Sequence, residues 1–103
     1  MKAIIEGHRY VLENFEQKDK PGQVIQFIEK APTVDRTTMY TVNDGTTNEE
    51  VLAVLIDRMQ YLNGKFPCRD NSIAITHLED ALLRLNKRTA DRLARGVEGK
   101  HVA

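Results

Sequence analysis

The sequence is poor in cysteine and aromatic residues: it has one cysteine, no tryptophan and an aromatic fraction of 6% in 103 residues. A lone cysteine, Cys68, excludes an intrachain disulfide and favours a reducing compartment. The 15 basic and 15 acidic side chains cancel to a formal net charge of zero. A protein that holds long nucleic acid needs many phosphate contacts, so zero net charge argues against that function. A local basic cluster stays possible, and we expect any anionic partner to be small.

Long apolar runs are also missing. The longest strongly apolar stretch, Val51 to Ile56, is far too short to span a membrane. The N-terminal residues Met1 to Glu6 lack the apolar run of a signal peptide. We therefore expect a soluble cytosolic protein with no membrane partner. The length predicts a single domain, residues 1–103, whose small size makes subunit association a valuable source of stability.

The first part of that domain, residues 1–45, is predicted to form strands. Residues 3–15 form an extended run in which Gly7-His8 suggests a bulge or a close backbone approach. A turn at 18–22 precedes a second strand at 23–29, which Pro32 closes, and a third strand is predicted at 37–42. The pattern predicts an antiparallel β-meander.

Residues 46–96 change to helical periodicity. Thr47 and Glu50 have capping-box spacing, which predicts a first helix over 48–63 that ends at Gly64. A second helix, capped by Asp70 or Asn71, is predicted to run to Leu93 and to stop at Gly96, a span of about 35–40 Å. The fold class is therefore α+β, with an antiparallel two-helix hairpin after the meander. Because the second helix is the longer, we expect it to overhang and to recruit a second subunit.

The last segment, residues 97–103, has a second glycine and no periodicity. It is either a frayed tail or a flap that orders over a ligand.

The second helix carries four arginines, Arg84, Arg88, Arg92 and Arg95, at spacings of four, four and three. They share one helix face. Guanidinium groups fit phosphate oxygens bidentately, so the row is a candidate phosphate site. The alternative is a solvated face whose positive charge complements the helix dipole.

The start of the second helix offers a weaker anion site. Arg69 lies beside backbone amides that a helix N-terminus leaves free, although Asp70, Asn71 and Ser72 are equally explained as capping residues. Phe66 could stack on a purine ring or could plug the end of the hairpin.

Catalytic and metal-binding patterns are missing. His8, His77 and His101 are far apart in sequence, and there is no metal-ligand spacing or glycine-rich phosphate loop. We expect no catalytic residues, no metal and no cofactor, and hence no enzyme.

Three stretches resemble the phage type-one Thoeris anti-defence family: residues 3–12, 44–52 and 85–92. The helical half, through 75–81, is also similar to the hairpin of a phage anti-CBASS sponge. The resemblance implies a phage protein in the cytoplasm of an infected bacterium. It implies a homodimer or hexamer that binds and sequesters cyclic ADP-ribose isomers, and in some members cyclic di- or trinucleotides, without degrading them.

The resemblance also implies roles for individual residues. The ligand pocket would lie between two protomers, under the strand-rich part and a C-terminal segment hinged at 96–99. Phe66 would stack on adenine, Arg88, Arg92 and Arg95 would surround the pyrophosphate, and Asn71 and Asn86 would read polar groups. Arg69 and Thr76 are candidates for a second nucleotide pocket.

A different class of function stays open, namely a small oligomeric interaction protein that docks on a host protein. The arginine row would then tune the rate of association. A transcription regulator is disfavoured, because the sequence has zero net charge and no compact helix-turn-helix pattern.

Overall fold

The computed structural model describes residues 1–96, which fall into two compact units, Met1–Thr47 and the residues from Asn48 onward. Strands occupy the first unit and two helices the second. The predicted α+β class, with antiparallel strands before a helical hairpin, is confirmed. That the two units act as one domain stays a prediction, and the hypothesis of a closing segment at 97–103 lies outside the described residues.

The first three strands form an antiparallel meander: β1 (Lys2–Ile5), β2 (Arg9–Leu12) and β3 (Gln23–Gln26). The single extended run predicted over 3–15 is in fact two strands. The chain turns between them because Gly7 adopts a positive φ of 79°, and the His8 amide donates to the Ile5 carbonyl at 2.9 Å. Glycine takes this backbone conformation without the steric cost of a Cβ atom.

The predicted second strand, 23–29, is divided between two sheets. After β3 the chain enters β4 (Glu29–Pro32), which pairs antiparallel with β5 (Met39–Asn43). The strand breaks because Thr46 intervenes: its amide donates to the Gln26 carbonyl, and its carbonyl accepts from the Ile28 amide, both at 2.8 Å.

Pro32 is the last residue of β4, so a strand does end at this proline as predicted, although that strand is β4 and not a continuation of β3. Because β5 is the neighbour to which β4 is hydrogen-bonded, β4 has an open edge, where a residue without an N–H group is tolerated.

The helical unit consists of α1 (Asn48–Lys65) and α2 (Arg69–Ala94), joined by residues 66–68. So short a connection makes the helices antiparallel neighbours. Ile56 of α1 and Ile75 of α2 are the most buried side chains of the hairpin, at 9% and 8% exposure. Helix α1 starts at Asn48, as Thr47 predicts, but continues one residue past Gly64, and the Phe66 amide still donates to the Leu62 carbonyl at 3.0 Å.

Helix α2 begins earlier than predicted. Cys68 holds the N-cap position without a side-chain cap hydrogen bond, so Asp70 and Asn71 lie in the first turn and are not the cap. A side chain of α1 provides the missing polar contact: Asn63 Oδ1 accepts from the Cys68 amide at 2.9 Å, and Asn63 Nδ2 donates to Ser72 Oγ at 3.1 Å. One asparagine thus ties the end of α1 to the start of α2.

The two helices differ in length. Helix α1 has 18 residues and α2 has 26. Helix α1 ends at the short connection and α2 begins there. The eight additional residues of α2 therefore extend about 12 Å, or two turns, past the start of α1. We call these last two turns of α2 the overhang. Leu93, which lies there, is 62% exposed although it continues the apolar stripe of the helix.

Over residues 1–96, no helix combines the length and apolar character that crossing a membrane requires.

Candidate phosphate-binding site on helix α2

The predicted arginine row is one continuous surface on α2. Successive residues of a helix turn by about 100°, so side chains three and four apart lie above one another. An open depression of about 350 Å³ follows this face. We call it the arginine depression, and it is lined by Arg84, Lys87, Arg88, Asp91, Arg92 and Arg95. Its far end lies on the overhang.

The arginine depression has a surplus of positive charge. Five of its six lining side chains are basic, and Asp91 is the acidic one. Lys87 Nζ lies 2.9 Å from Asp91 Oδ2, and Arg84 Nε lies 3.8 Å from Asp80 Oδ1. Both pairs are exposed i,i+4 pairs, each worth about 0.3–0.5 kcal/mol, so a phosphate could displace them at little cost.

The remaining arginines differ in their surroundings. Arg88 is exposed and, within residues 1–96, has no hydrogen bond or ion pair with protein. Arg92 is half-buried, and both Arg92 and Arg95 are engaged in interactions of their own. Arg88 therefore has its full set of donors available to a ligand, while Arg92 is already partly fixed in place. That combination suits binding of an anion, because one group is free to contact it and another is preorganised.

The other predicted binding residues do not join this depression within one chain. Phe66 is 77% exposed in the connection at the opposite end of the hairpin, and Asn71 is half-buried in the first turn of α2. The start of α2 lies about 28 Å from Arg88 along the helix. A molecule the size of a dinucleotide cannot contact both ends of one hairpin.

Asn86 is also separated from the arginines. Two positions along a helix correspond to about 200° of rotation, so Asn86 lies on the other side of α2 from Arg84 and Arg88. It is exposed and does not line the depression. Its predicted role therefore requires a second protomer, and it stays a prediction.

The residues proposed for a second nucleotide pocket do share a face. Arg69 and Thr76 are two helical turns apart on α2, which places them on the same side. The Thr76 hydroxyl donates to the Ser72 carbonyl at 3.1 Å, and its oxygen can still accept a hydrogen bond. Both side chains are exposed.

Lys87 was not predicted as part of the site, because the prediction followed arginine alone, and Asp91 was expected beside Arg92 and not as the partner of Lys87. Their i,i+4 spacing was the available signal, since it places a lysine–aspartate pair alongside the row. It also missed Tyr61, an exposed aromatic ring on α1 with the Lys65 ammonium 4.8 Å from its centre.

No metal-binding cluster of three or more His, Cys, Asp or Glu side chains occurs over the described range 1–96.

A helical hairpin with a basic depression on one face defines a class of candidate anion-binding proteins, and comparison with known proteins gives the family. The description "Acb2/Tad1, hairpin domain" matches residues 23–90, more than half of the chain. The chain therefore belongs to the Acb2/Tad1 hairpin-domain family.

A named relative supports this assignment. The chain is 56% identical over 59 residues to "Thoeris anti-defense 1" of Bacillus phage SBSphiJ7. The aligned segment is 56% of this chain but 42% of the relative, so the chain spans less than half of the relative's length.

Proposed function

We propose that this protein is a phage anti-defence sponge that binds cyclic ADP-ribose-type signals and holds them without cleaving them. The proposal rests on the arginine depression, which is lined by five basic side chains from the C-terminal part of α2 and its C-cap. Membership of the Acb2/Tad1 family and likeness to a Thoeris anti-defence protein support the same role. The proposed site of action is the cytoplasm of the infected bacterium, and cyclic di- or trinucleotides are candidate ligands of a second pocket.

The chemistry of the depression suits a pyrophosphate. Two or three guanidinium–phosphate hydrogen bonds contribute about 1.5–3 kcal/mol each. A nanomolar dissociation constant corresponds to about 12 kcal/mol, so the arginines alone are insufficient. Stacking of the adenine ring and exclusion of water must provide the rest. The depression is open and consists of side chains of one helix, so a second surface is needed to cover the ligand.

A second protomer is the natural source of that surface. Phe66 and the arginines are at opposite ends of one hairpin, but an antiparallel pair of hairpins brings the turn of one chain to the overhang of the other. Exposed Leu93 gives the overhang an apolar position for such a contact. We therefore propose a site in which Arg88, Arg92 and Arg95 come from one protomer and Phe66 and Asn71 from its partner.

The experiment is a depletion assay. Purified protein is mixed with a cyclic ADP-ribose isomer, the free ligand is measured after ultrafiltration, and the bound ligand is released by heating and weighed by mass spectrometry. The proposal expects depletion and recovery of the intact isomer. Recovery of a cleaved product would identify an enzyme instead, and failure to deplete any isomer or cyclic oligonucleotide of a panel would reject the sponge.

Docking on a host protein is the second candidate, favoured by exposed apolar side chains on the hairpin: Val54, Tyr61 and Leu83 are each at least 60% exposed. Arg92→Ala separates the two functions. A sponge loses nucleotide affinity while the hairpin stays folded, whereas a docking protein has no nucleotide affinity to lose.

A further inference from the structure

A second basic depression belongs to the strand unit alone. It has a volume of about 310 Å³ and lies where β1 and the β2–β3 loop meet. Three lysines, Lys2, Lys18 and Lys20, contribute to its lining, together with Leu12, Glu13 and Gly22. We call it the lysine depression. None of these residues belongs to the hairpin, so the sponge function proposed above does not use them.

The β2–β3 loop that carries two of the lysines is fixed by its own hydrogen bonds. Asn14 Nδ2 lies 3.1–3.3 Å from the carbonyl oxygens of Gln17, Lys20 and Pro21, so its two N–H groups are shared among three acceptors. The Lys20 amide also donates to the Gln17 carbonyl at 3.0 Å. The backbone that supports Lys18 and Lys20 is therefore held in one conformation, which lowers the entropy lost when a ligand binds.

Gly22 brings the end of this loop against β2. A Cβ atom at this position would lie 1.8 Å from the Leu12 carbonyl oxygen, a distance no side chain can adopt. Glycine is thus required for the loop to return so closely. Lys18 and Lys20 therefore line the same depression as Leu12, at the end of β2, and Lys2, at the start of β1.

Charge inside the lysine depression is unbalanced. Glu13 is the acidic residue of the lining, and its Oε2 lies 4.0 Å from Lys18 Nζ. Asp19, between the two loop lysines in sequence, does not line the depression. Three lysines and one glutamate therefore line the depression, in a protein whose overall net charge is zero. Like charges held close together repel one another, and a bound anion relieves that repulsion.

We propose that the lysine depression binds a small molecule with a terminal phosphate or diphosphate group, as a site separate from the arginine depression. Lysine ammonium groups are point donors that accept a phosphate in many orientations. The volume exceeds that of a phosphate group, and the Val11 and Leu12 side chains offer an apolar surface for the rest of the ligand.

The test is a site-resolved NMR titration of the full-length protein with inorganic pyrophosphate at low salt. Amide shifts are followed separately for residues 12–22 and for residues 84–95, since the arginines also attract this anion. The proposal expects saturable shifts at 12–22. It expects Lys18→Gln/Lys20→Gln to weaken that binding about tenfold or more, as loss of one or two charge-assisted contacts implies.

Two control variants make the result decisive. Lys30→Gln removes an exposed lysine of the same unit on β4 and should leave the shifts at 12–22 unchanged. Arg88→Ala/Arg92→Ala should abolish shifts at 84–95 and spare those at 12–22. The proposal is overturned if shifts at 12–22 are missing at millimolar pyrophosphate, or if Lys30→Gln weakens binding as much as the double variant. If the unmodified protein showed shifts at 12–22 but none at 84–95, the result would instead count against the sponge.

Discussion

The strand unit and the helical unit use their polar side chains in opposite ways. In the strand unit, Asn14, Gln26 and Asp35 are each engaged in two or more hydrogen bonds that fix loops or join strands. In the helical unit such bonds gather at the turn, around Asn63, whereas the overhang carries Arg88, which has no hydrogen bond or ion pair with protein within the described residues 1–96. Polar groups that stabilise a fold have internal partners. An exposed arginine without such a partner, as Arg88 is, has its donors available for a ligand.

Removal of two arginines from the overhang should produce the largest effect. Arg88→Ala/Arg92→Ala eliminates two charge-assisted contacts, and we expect a loss of about 3–6 kcal/mol in binding of a cyclic ADP-ribose isomer. Isothermal titration calorimetry measures this loss, and circular dichroism confirms that the helices persist. Arg58→Ala, an exposed arginine of α1 outside the depression, is the matched control and should bind as the unmodified protein does. Equal affinities for the double variant and the control would contradict the proposal that the arginine depression binds the ligand.

Replacing one glycine by alanine in each unit should change the free energy of unfolding in opposite directions. Gly22→Ala places a methyl group against the Leu12 carbonyl, which forces a backbone shift and should cost about 1–3 kcal/mol. Gly64→Ala, in the last turns of α1, meets no atom within 4 Å and should stabilise by up to about 1 kcal/mol. Urea denaturation of both variants measures the difference. A Gly22→Ala protein as stable as the parent would contradict the close approach of loop and strand.

The asparagine clamp at the hairpin turn should contribute a moderate amount. Asn63→Ala removes both the acceptor of the Cys68 amide and the donor to Ser72, and we expect a loss of about 1–2 kcal/mol. Ser72→Ala removes one of the two bonds and should cost about half as much. Chemical denaturation measures the free energy of unfolding of both variants. If Ser72→Ala proved the more damaging, the clamp would not be centred on Asn63.

The smallest effect concerns Asp35 in the β4–β5 loop. A hydrogen bond from the Thr33 hydroxyl, followed by bonds from the Thr37 amide and hydroxyl, lowers the pKa of the Asp35 carboxyl. A depressed pKa in the folded state means a stabilising contribution that is complete above the unfolded-state pKa of this carboxyl and is lost as pH falls through the folded-state pKa. Thr33→Val should raise the pKa of Asp35 in an NMR titration, and an unchanged value would show that Thr37 alone holds the carboxylate.

Periodicity and capping chemistry were enough to predict both helices and the face that carries the arginines. These are local properties, because helix spacing alone aligns Arg84, Arg88 and Arg92. The start of α2 was misplaced because its cap is not local in sequence: Asn63 of the preceding helix serves the Cys68 amide.

The strand boundaries were harder to predict for the same reason. The break after Gln26 depends on hydrogen bonds from Thr46, twenty residues along the chain, and no pattern within 23–29 announces it. The predicted site is similarly incomplete within one chain. The spacing was enough to predict that the arginines share one helix face, whereas the contacts of Phe66, Asn71 and Asn86 in the proposed site depend on the proposed pairing of two chains, which sequence periodicity does not specify.

A complementation experiment tests the shared site most directly. Phe66→Ala chains and Arg88→Ala/Arg92→Ala chains are each expected to bind a cyclic ADP-ribose isomer poorly. If each site takes Phe66 from one protomer and arginines from the other, a mixed dimer contains one intact site. Mixing the two variants after dissociation and reassociation should therefore restore about a quarter of the high-affinity sites of the parent protein, because half of the dimers formed at random are mixed. Restoration of none would contradict a site built across the subunit boundary.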